Sequence, residues 1–410
     1  MSERTRCAVV GGGPAGIMLG LLLARAGVSV TVLEKHGDFL RDFRGDTVHP
    51  ATLRLLDELG LGDRFAQLPV HRLERMRARI DGNTVVLADF RRIPGRHKYI
   101  AMVPQWDFLD LLAAAAAEEP TFTLRMNSTV TDLCRDDTGQ VTGVRYRDAD
   151  GQHTLTAELI VGCDGRGSLV RHAAGLSATR YDMPMDVWQI RIPKEVGDRD
   201  DEVFGWFGDG QVAVTMDRGD YYQTSYLIAK GTDAQRRGSD IAALREELTR
   251  MFGWPAERTA AIRSWDDVLL LRAEMDLLRR WYTTGLLCIG DAAHTMSPVG
   301  GVGVNLAIQD AVAAARILAG PLREGRLTTR DLARVQRRRM LPTRAVQRSQ
   351  RSEHDMLLRP ALAGTLHGVP RPIQALQLAP FLQGASAYLG GIGIRPEHAP
   401  AFAHRSHCPT

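Results

Sequence analysis

Cys7-Ala8-Val9-Val10-Gly11-Gly12-Gly13-Pro14-Ala15-Gly16 is the stretch whose reading decides the fold. Four apolar residues make a short strand. Gly11, Gly13 and Gly16 follow in GxGxxG spacing, and Ile17 to Ala26 is an apolar run of helix length closed by Gly27. Val28 to Leu33 is rich in β-branched residues and ends at Glu34, so the whole predicts a strand-turn-helix-strand unit. Glycines between a strand and a helix let backbone N–H groups approach a pyrophosphate at a helix N-terminus, whose dipole favours anions. An acidic residue ending the next strand accepts from a ribose 2′-hydroxyl and repels a 2′-phosphate, so the site suits FAD or NAD rather than NADPH.

The chain around this unit has 410 residues, 44% of them hydrophobic and 24% charged, as expected of a globular protein of about two domains. A net charge of +4 gives no argument for nucleic acid. No stretch offers the roughly 20 uninterrupted apolar residues of a membrane span. The run Ile17–Leu23 lacks a signal-peptide cleavage site and reads as the first helix of a fold, which implies a cytoplasmic chain. Cys7, Cys134, Cys163, Cys288 and Cys408 are odd in number and scattered, which argues against a disulfide framework or a metal site.

Further along, residues 52–65 and 106–118 read as helices, and residues 121–162 and 186–228 as strands. Val212, Val214 and Met216 share one strand face, and Tyr222, Thr224 and Tyr226 share another. The tail from about 327 is helical and Arg-rich, then interrupted by Pro and Gly. Arg337-Arg338-Arg339 reads as a solvated helix face that also pairs with acidic loops.

Two more strand ends carry chemistry. Leu159 to Cys163 runs into Asp164-Gly165, and Leu286 to Ile289 runs into Gly290-Asp291-Ala292-Ala293-His294. A carboxylate at a strand's carboxyl end is placed for a ribitol or ribose hydroxyl. Pro298, Gly300, Gly301 and Gly303 then lead into a helix near Val304 and Asn305. Such a loop offers N–H donors and positive potential, able to stabilise negative charge on a reduced flavin. His294 reads as a packed or capping histidine rather than a base.

In this order and at these separations the three motifs resemble the group A flavoprotein monooxygenases, the family of para-hydroxybenzoate hydroxylase and the polyketide aromatic hydroxylases. The likeness extends to Arg44-Gly45-Asp46, Val103-Pro104-Gln105 and Gly393-Ile394-Arg395-Pro396-Glu397-His398. It implies an α/β fold: a Rossmann-like FAD-binding domain (1–75, 98–180, 275–325), an inserted, mostly β substrate domain (76–97, 181–274) and a C-terminal helical segment (326–410). By resemblance, Gly11, Gly13, Pro14, Ala15, Gly16, Glu34 and Lys35 hold the ADP half of FAD. Arg44 meets the pyrophosphate or ribose, and Gln105 the ribitol or flavin side. Asp164 and Gly165 serve FAD and NAD(P)H, and Gly290 and Asp291 hold the ribitol. Pro298, Gly300, Gly301, Gly303, Val304 and Asn305 line the isoalloxazine.

The resemblance further implies that NADH or NADPH visits as a transient co-substrate, and that a flavin C4a-hydroperoxide passes oxygen from O₂ to an aromatic or polycyclic substrate. No protein side chain is singled out as catalytic. Substrate-lining candidates are Trp188, Ile190, Phe207, Val214, Met216, Tyr222, Thr224 and Tyr226, of which strand alternation allows only some to point inward. Arg191, Arg218 and Lys230 lie close enough in sequence to add a cation. A halogenase is the leading alternative, but Trp188-Gln189-Ile190-Arg191-Ile192-Pro193 has Ile190 where that class carries a second Trp. A reductase or dehydrogenase without oxygenation is another, and a non-enzymatic FAD-binding regulator a distant one. The expected state is a monomer or homodimer.

Overall fold

A computed structural model describes residues 3–40, 47–195, 197–198 and 202–405. Its main sheet is built on parallel strands in the spatial order Phe122–Arg125, Val30–Leu33, Glu3–Val10, Gly151–Gly162, Leu286–Cys288, with Tyr282–Thr283 antiparallel at the edge. Thr129–Arg135 and Val141–Asp148 extend it as an antiparallel pair off the start of the long strand. The parallel strands are buried on both sides, hence their near-continuous apolar runs. The first helix, Pro14–Arg25, packs against the long helix Gly303–Arg323 in the same core. That long helix, with the four residues before it, is long and apolar enough to cross a membrane, but 72% of its apolar window is buried inside the protein's own fold.

A seven-stranded sheet forms a second layer, ordered Leu269–Leu271, Met185–Pro193, Tyr221–Ala229, Gln211–Asp217, Glu202–Gly208, Arg75–Ile80, Asn83–Asp89. Two distant segments thus meet in one sheet, through parallel pairing of Arg75–Ile80 with Glu202–Phe207. Its outer face is covered by the helix Ile241–Phe252. Its inner face meets the C-terminal helices and the loop before Gly303–Arg323. A small sheet of Thr47–Val48, Ile100–Met102 and His71–Leu73 lies between the two layers of the molecule.

Two local readings are corrected. The helix expected over 52–65 is broken into Pro50–Glu58 and Gly62–Ala66, because Gly60 turns the chain at φ +70°. The arginine-rich helix Thr329–Glu353 is not simply a solvated face: Arg339 is buried and bonded to Asp310. Arg338 does meet an acidic loop, donating to both oxygens of Glu397 at 2.6 and 2.8 Å.

Candidate active site

The carboxyl ends of the parallel strands are level with one another. Val10 pairs with Leu33 on one side and Gly162 on the other, and Gly162 pairs with Cys288. Gly11, Glu34, Cys163-Asp164 and Ile289-Gly290 therefore emerge side by side, which is where open α/β sheets bind ligands. The Gly11 turn is dictated by close approach. At φ +102° an added Cβ would lie 2.5 Å from the Cys163 carbonyl oxygen, and at Gly16 it would lie 1.9 Å from the Gly11 carbonyl oxygen.

Gly13 differs. Its φ of −74° suits any residue, and an added Cβ would find no protein atom within 4 Å. No packing inside the protein requires glycine there. Open space directly above a helix N-terminus, with unsatisfied N–H groups beneath it, is the cradle a pyrophosphate fills. Glu34 accepts from the Gly12 N–H at 2.8 Å and from the His36 N–H at 3.1 Å, which fixes its carboxylate beside that turn. Lys35 is exposed, and Arg44 lies outside the described residues.

The loop Pro298–Gly303 leads from the strand end at Gly290-Asp291 into the long helix. Gly301 adopts φ +61°, and its carbonyl accepts from Thr47 Oγ1 at 2.8 Å. Gly303 and Val304 begin the long helix, where first-turn N–H groups have no carbonyl within the helix. These donors suit the carbonyl edge of a flavin ring.

The description FAD binding domain matches residues 4–349. A 6-methylpretetramide 4-monooxygenase of Streptomyces rimosus is 34% identical over 91% of this chain and 88% of its own length. This chain is a class A flavoprotein monooxygenase. A 12-dehydrotetracycline 5-monooxygenase/anhydrotetracycline 6-monooxygenase of the same species is 30% identical over 74% of this chain; there the alignment spans only 60% of the relative. The structure of the anhydrotetracycline hydroxylase OxyS superposes with a TM-score of 0.75 at 24% identity, covering 97% of this chain and 78% of that one, and so shares the fold.

The monooxygenase uses FAD, with NAD(P)H as electron donor. Bound FAD supplies the redox and oxygen-activating chemistry. The chain's own residues bind it, exclude water and hold the substrate against it. Gly11, Gly13, Pro14, Ala15, Gly16 and Glu34 fit the ADP half, while Gln105 opens the helix Gln105–Ala117 and Asp291 sits in the turn after Cys288.

The described geometry changes the reading of two predicted residues and bears on a third. Asp164 accepts from Ser168 Oγ at 2.6 Å and from the Val170 N–H at 3.1 Å, so its carboxylate caps the short helix Leu169–Ala173. Burial pushes its carboxyl upward against those bonds. Asn305 accepts from the His49 N–H at 2.9 Å and Thr52 Oγ1 at 2.8 Å, and donates to the Thr47 carbonyl at 3.0 Å. Its side chain therefore locks the Thr47–Thr52 segment to the helix. His294 is buried and hydrogen-bonded to Asp310 at 2.5 Å. That is the packed histidine expected.

Strand alternation divides the substrate candidates. Trp188, Ile190, Tyr222, Thr224 and Tyr226 point to the outer face. Trp188, Ile190 and Tyr226 lie in a cluster with Leu244, Leu248 and Met251. Trp188 donates to Asp233 at 2.7 Å, Tyr226 donates to Glu247 at 2.5 Å, and Tyr222 stacks on Trp254. These five are corrected to supporting core. Phe207, Val214 and Met216 are on the inner face. Phe207 shares a cluster with Val299 of the flavin loop; Val214 and Met216 pack against the one holding Met102, which pairs with Thr47.

Sequence reasoning missed a polar row on that inner face. Gln223 donates to Gln189 at 3.3 Å, Ser225 to Gln189 at 3.0 Å, and Arg218 to Gln223 at 3.0 Å. Burial lowers the pKa of Arg218. Gln189, Ser225 and Val214 occupy one cross-strand rung, which only the pairing register reveals.

Proposed function

We propose that the substrate is a polycyclic aromatic compound of the ketide type, bearing several ring oxygens, and that the enzyme hydroxylates it. The observation that carries this reading is the inner sheet face. Apolar Phe207, Val214 and Met216 flank a neutral row of Gln189, Gln223 and Ser225, and Phe207 shares a cluster with Val299 of the loop Pro298–Gly303. Flat apolar rings suit the first set, and carbonyl or hydroxyl oxygens on the ring edge suit the amides. The 6-methylpretetramide 4-monooxygenase, matched over most of both chains, supports the same class.

The four described cysteines are free, with thiols pushed up by burial, which suits a reducing cytoplasm. The test is oxygen and NAD(P)H consumption by the FAD-loaded protein with a panel of phenols and polycyclic ketides. A polycyclic compound should speed NAD(P)H oxidation and be recovered one oxygen heavier. Stimulation only by single-ring phenols would overturn the substrate class.

A further inference from the structure

The arginine-rich helix Thr329–Glu353 gives way to a single π-helical turn, His354–Leu358, at the next residue. Such turns are rare, and they re-aim side chains at functional sites. The residues around Glu353 grip the flavin loop. Gln350 donates to the carbonyls of Val299 at 2.7 Å and Ser297 at 3.1 Å, and accepts from the Ser297 N–H at 3.2 Å. His354 Nε2 bonds Ser297 Oγ at 2.9 Å, and Leu357 packs in the cluster that joins Val299 to Phe207 and Val212. Glu353 follows Gln350 by three residues, on neighbouring positions of one helix face, and directly precedes His354, so it lies at the helix end that grips the loop.

Glu353 has no use in holding the fold. Among the described residues it makes no hydrogen bond and no ion pair, while Arg351, His354, Asp355 and Arg359 line a recess with Arg180, Tyr181 and Asp182. It is half-buried, neither packed away nor on the open surface. Desolvation alone pushes its carboxyl up to about 7. The loop Pro298–Gly303 brings it no titratable side chain. The inner sheet face that Leu357 packs on brings Met185, Val187, Phe207, Val212 and Leu227, none of them titratable.

We propose that Glu353 faces the substrate, accepts a hydrogen bond from a phenolic hydroxyl, and takes that proton as the neighbouring ring carbon gains oxygen. The proton passes from the phenol oxygen to the carboxylate, leaving a neutral acid and an electron-rich ring oxygen. Glu353 gains no electrons and returns the proton to solvent between turnovers. This inference rests on the aromatic substrate class proposed above.

The test compares binding of 2-naphthol and 2-methoxynaphthalene to FAD-loaded wild type and Glu353→Gln, without electron donor. A carboxylate acceptor should make the wild-type preference for the phenol about tenfold greater than the variant's. In wild type alone, that preference should grow as pH rises through about 7, which keeps the test decisive if the variant fails to fold. Equal preference in both proteins, or a wild-type preference flat with pH, would overturn the role of Glu353 and leave the substrate class standing. Binding of neither compound by the wild type would overturn both. In turnover, the acid-side fall of kcat/KM near that pH should disappear in the variant, and Glu353→Asp should restore part of it.

Discussion

The carboxylate of Asp310, buried in the long helix, accepts a hydrogen bond from the backbone N–H of Gly290 at 3.1 Å. Gly290 begins the turn that presents Asp291, so a helix residue twenty positions away fixes the cofactor turn. The same carboxylate accepts from Arg339 at 2.8 Å and contacts His294 at 2.5 Å. Arg339 also lies 3.7 Å from Glu397, which accepts from Arg338. The C-terminal segment is thereby wired to the flavin site through buried charge.

Asp310→Asn should therefore leave buried Arg339 with only the more distant Glu397 as counter-charge and destabilise the protein by about 3–5 kcal/mol. Chemical denaturation should show this, with faster FAD loss from the folded fraction. Stability unchanged to within about 1 kcal/mol would mean that Glu397 alone suffices for Arg339.

Gly13→Ala and Gly16→Ala should separate folding from cofactor binding. The first places a methyl group in open space, so thermal stability without FAD should stay near wild type while FAD retention is lost. The second drives a Cβ into the Gly11 carbonyl and should lower stability with or without FAD. Equal FAD affinity for Gly13→Ala and wild type would show that the pyrophosphate lies elsewhere.

His49 predicts an acid sensitivity. It is buried, its Nδ1 meets the Gly390 carbonyl at 2.9 Å, and burial lowers its pKa to about 4 from 6.5. The unfolded chain binds the proton first as pH falls, so stability is complete above about 6.5 and is lost between there and about 4. The loss from this group is of order 3 kcal/mol. Unfolding curves across that window should show it, and His49→Gln should be less acid-sensitive there. Parallel pH profiles for the two proteins would refute the assignment.

The two sheet faces should respond oppositely. Trp188→Ala empties a core site on the outer face and should cost about 3–5 kcal/mol with little change in KM. Val214→Phe narrows the inner face and should raise KM for a polycyclic substrate about tenfold or more, at a stability cost of about 1–3 kcal/mol. A KM unchanged by Val214→Phe would make that position plain core.

Local chemistry explains what could be read early. A phosphate turn needs glycine at fixed offsets within one short segment, so Gly11, Gly13, Gly16 and Glu34 announce themselves, as do the strand ends at Asp164 and Asp291. The substrate set was harder to read. Alternation correctly separated Val214 and Met216 from Tyr222 and Tyr226, but alternation is symmetric: it assigns residues to two faces without saying which one meets the flavin.

The sequence by itself thus determined the dinucleotide fold and the motifs at each strand end, because each depends on neighbours a few residues apart, and the order of those motifs carried the resemblance that implied FAD. Only the tertiary structure decided that Asn305 and Asp164 spend their side chains on the scaffold, that Gln189 and Gln223 lie on the inner sheet face, that Asp310 steadies Gly290, and that Glu353 has no partner among the described residues. Those outcomes depend on strand register and on which helix covers which face. Both are set by long-range burial and hydrogen bonding between segments tens to hundreds of residues apart.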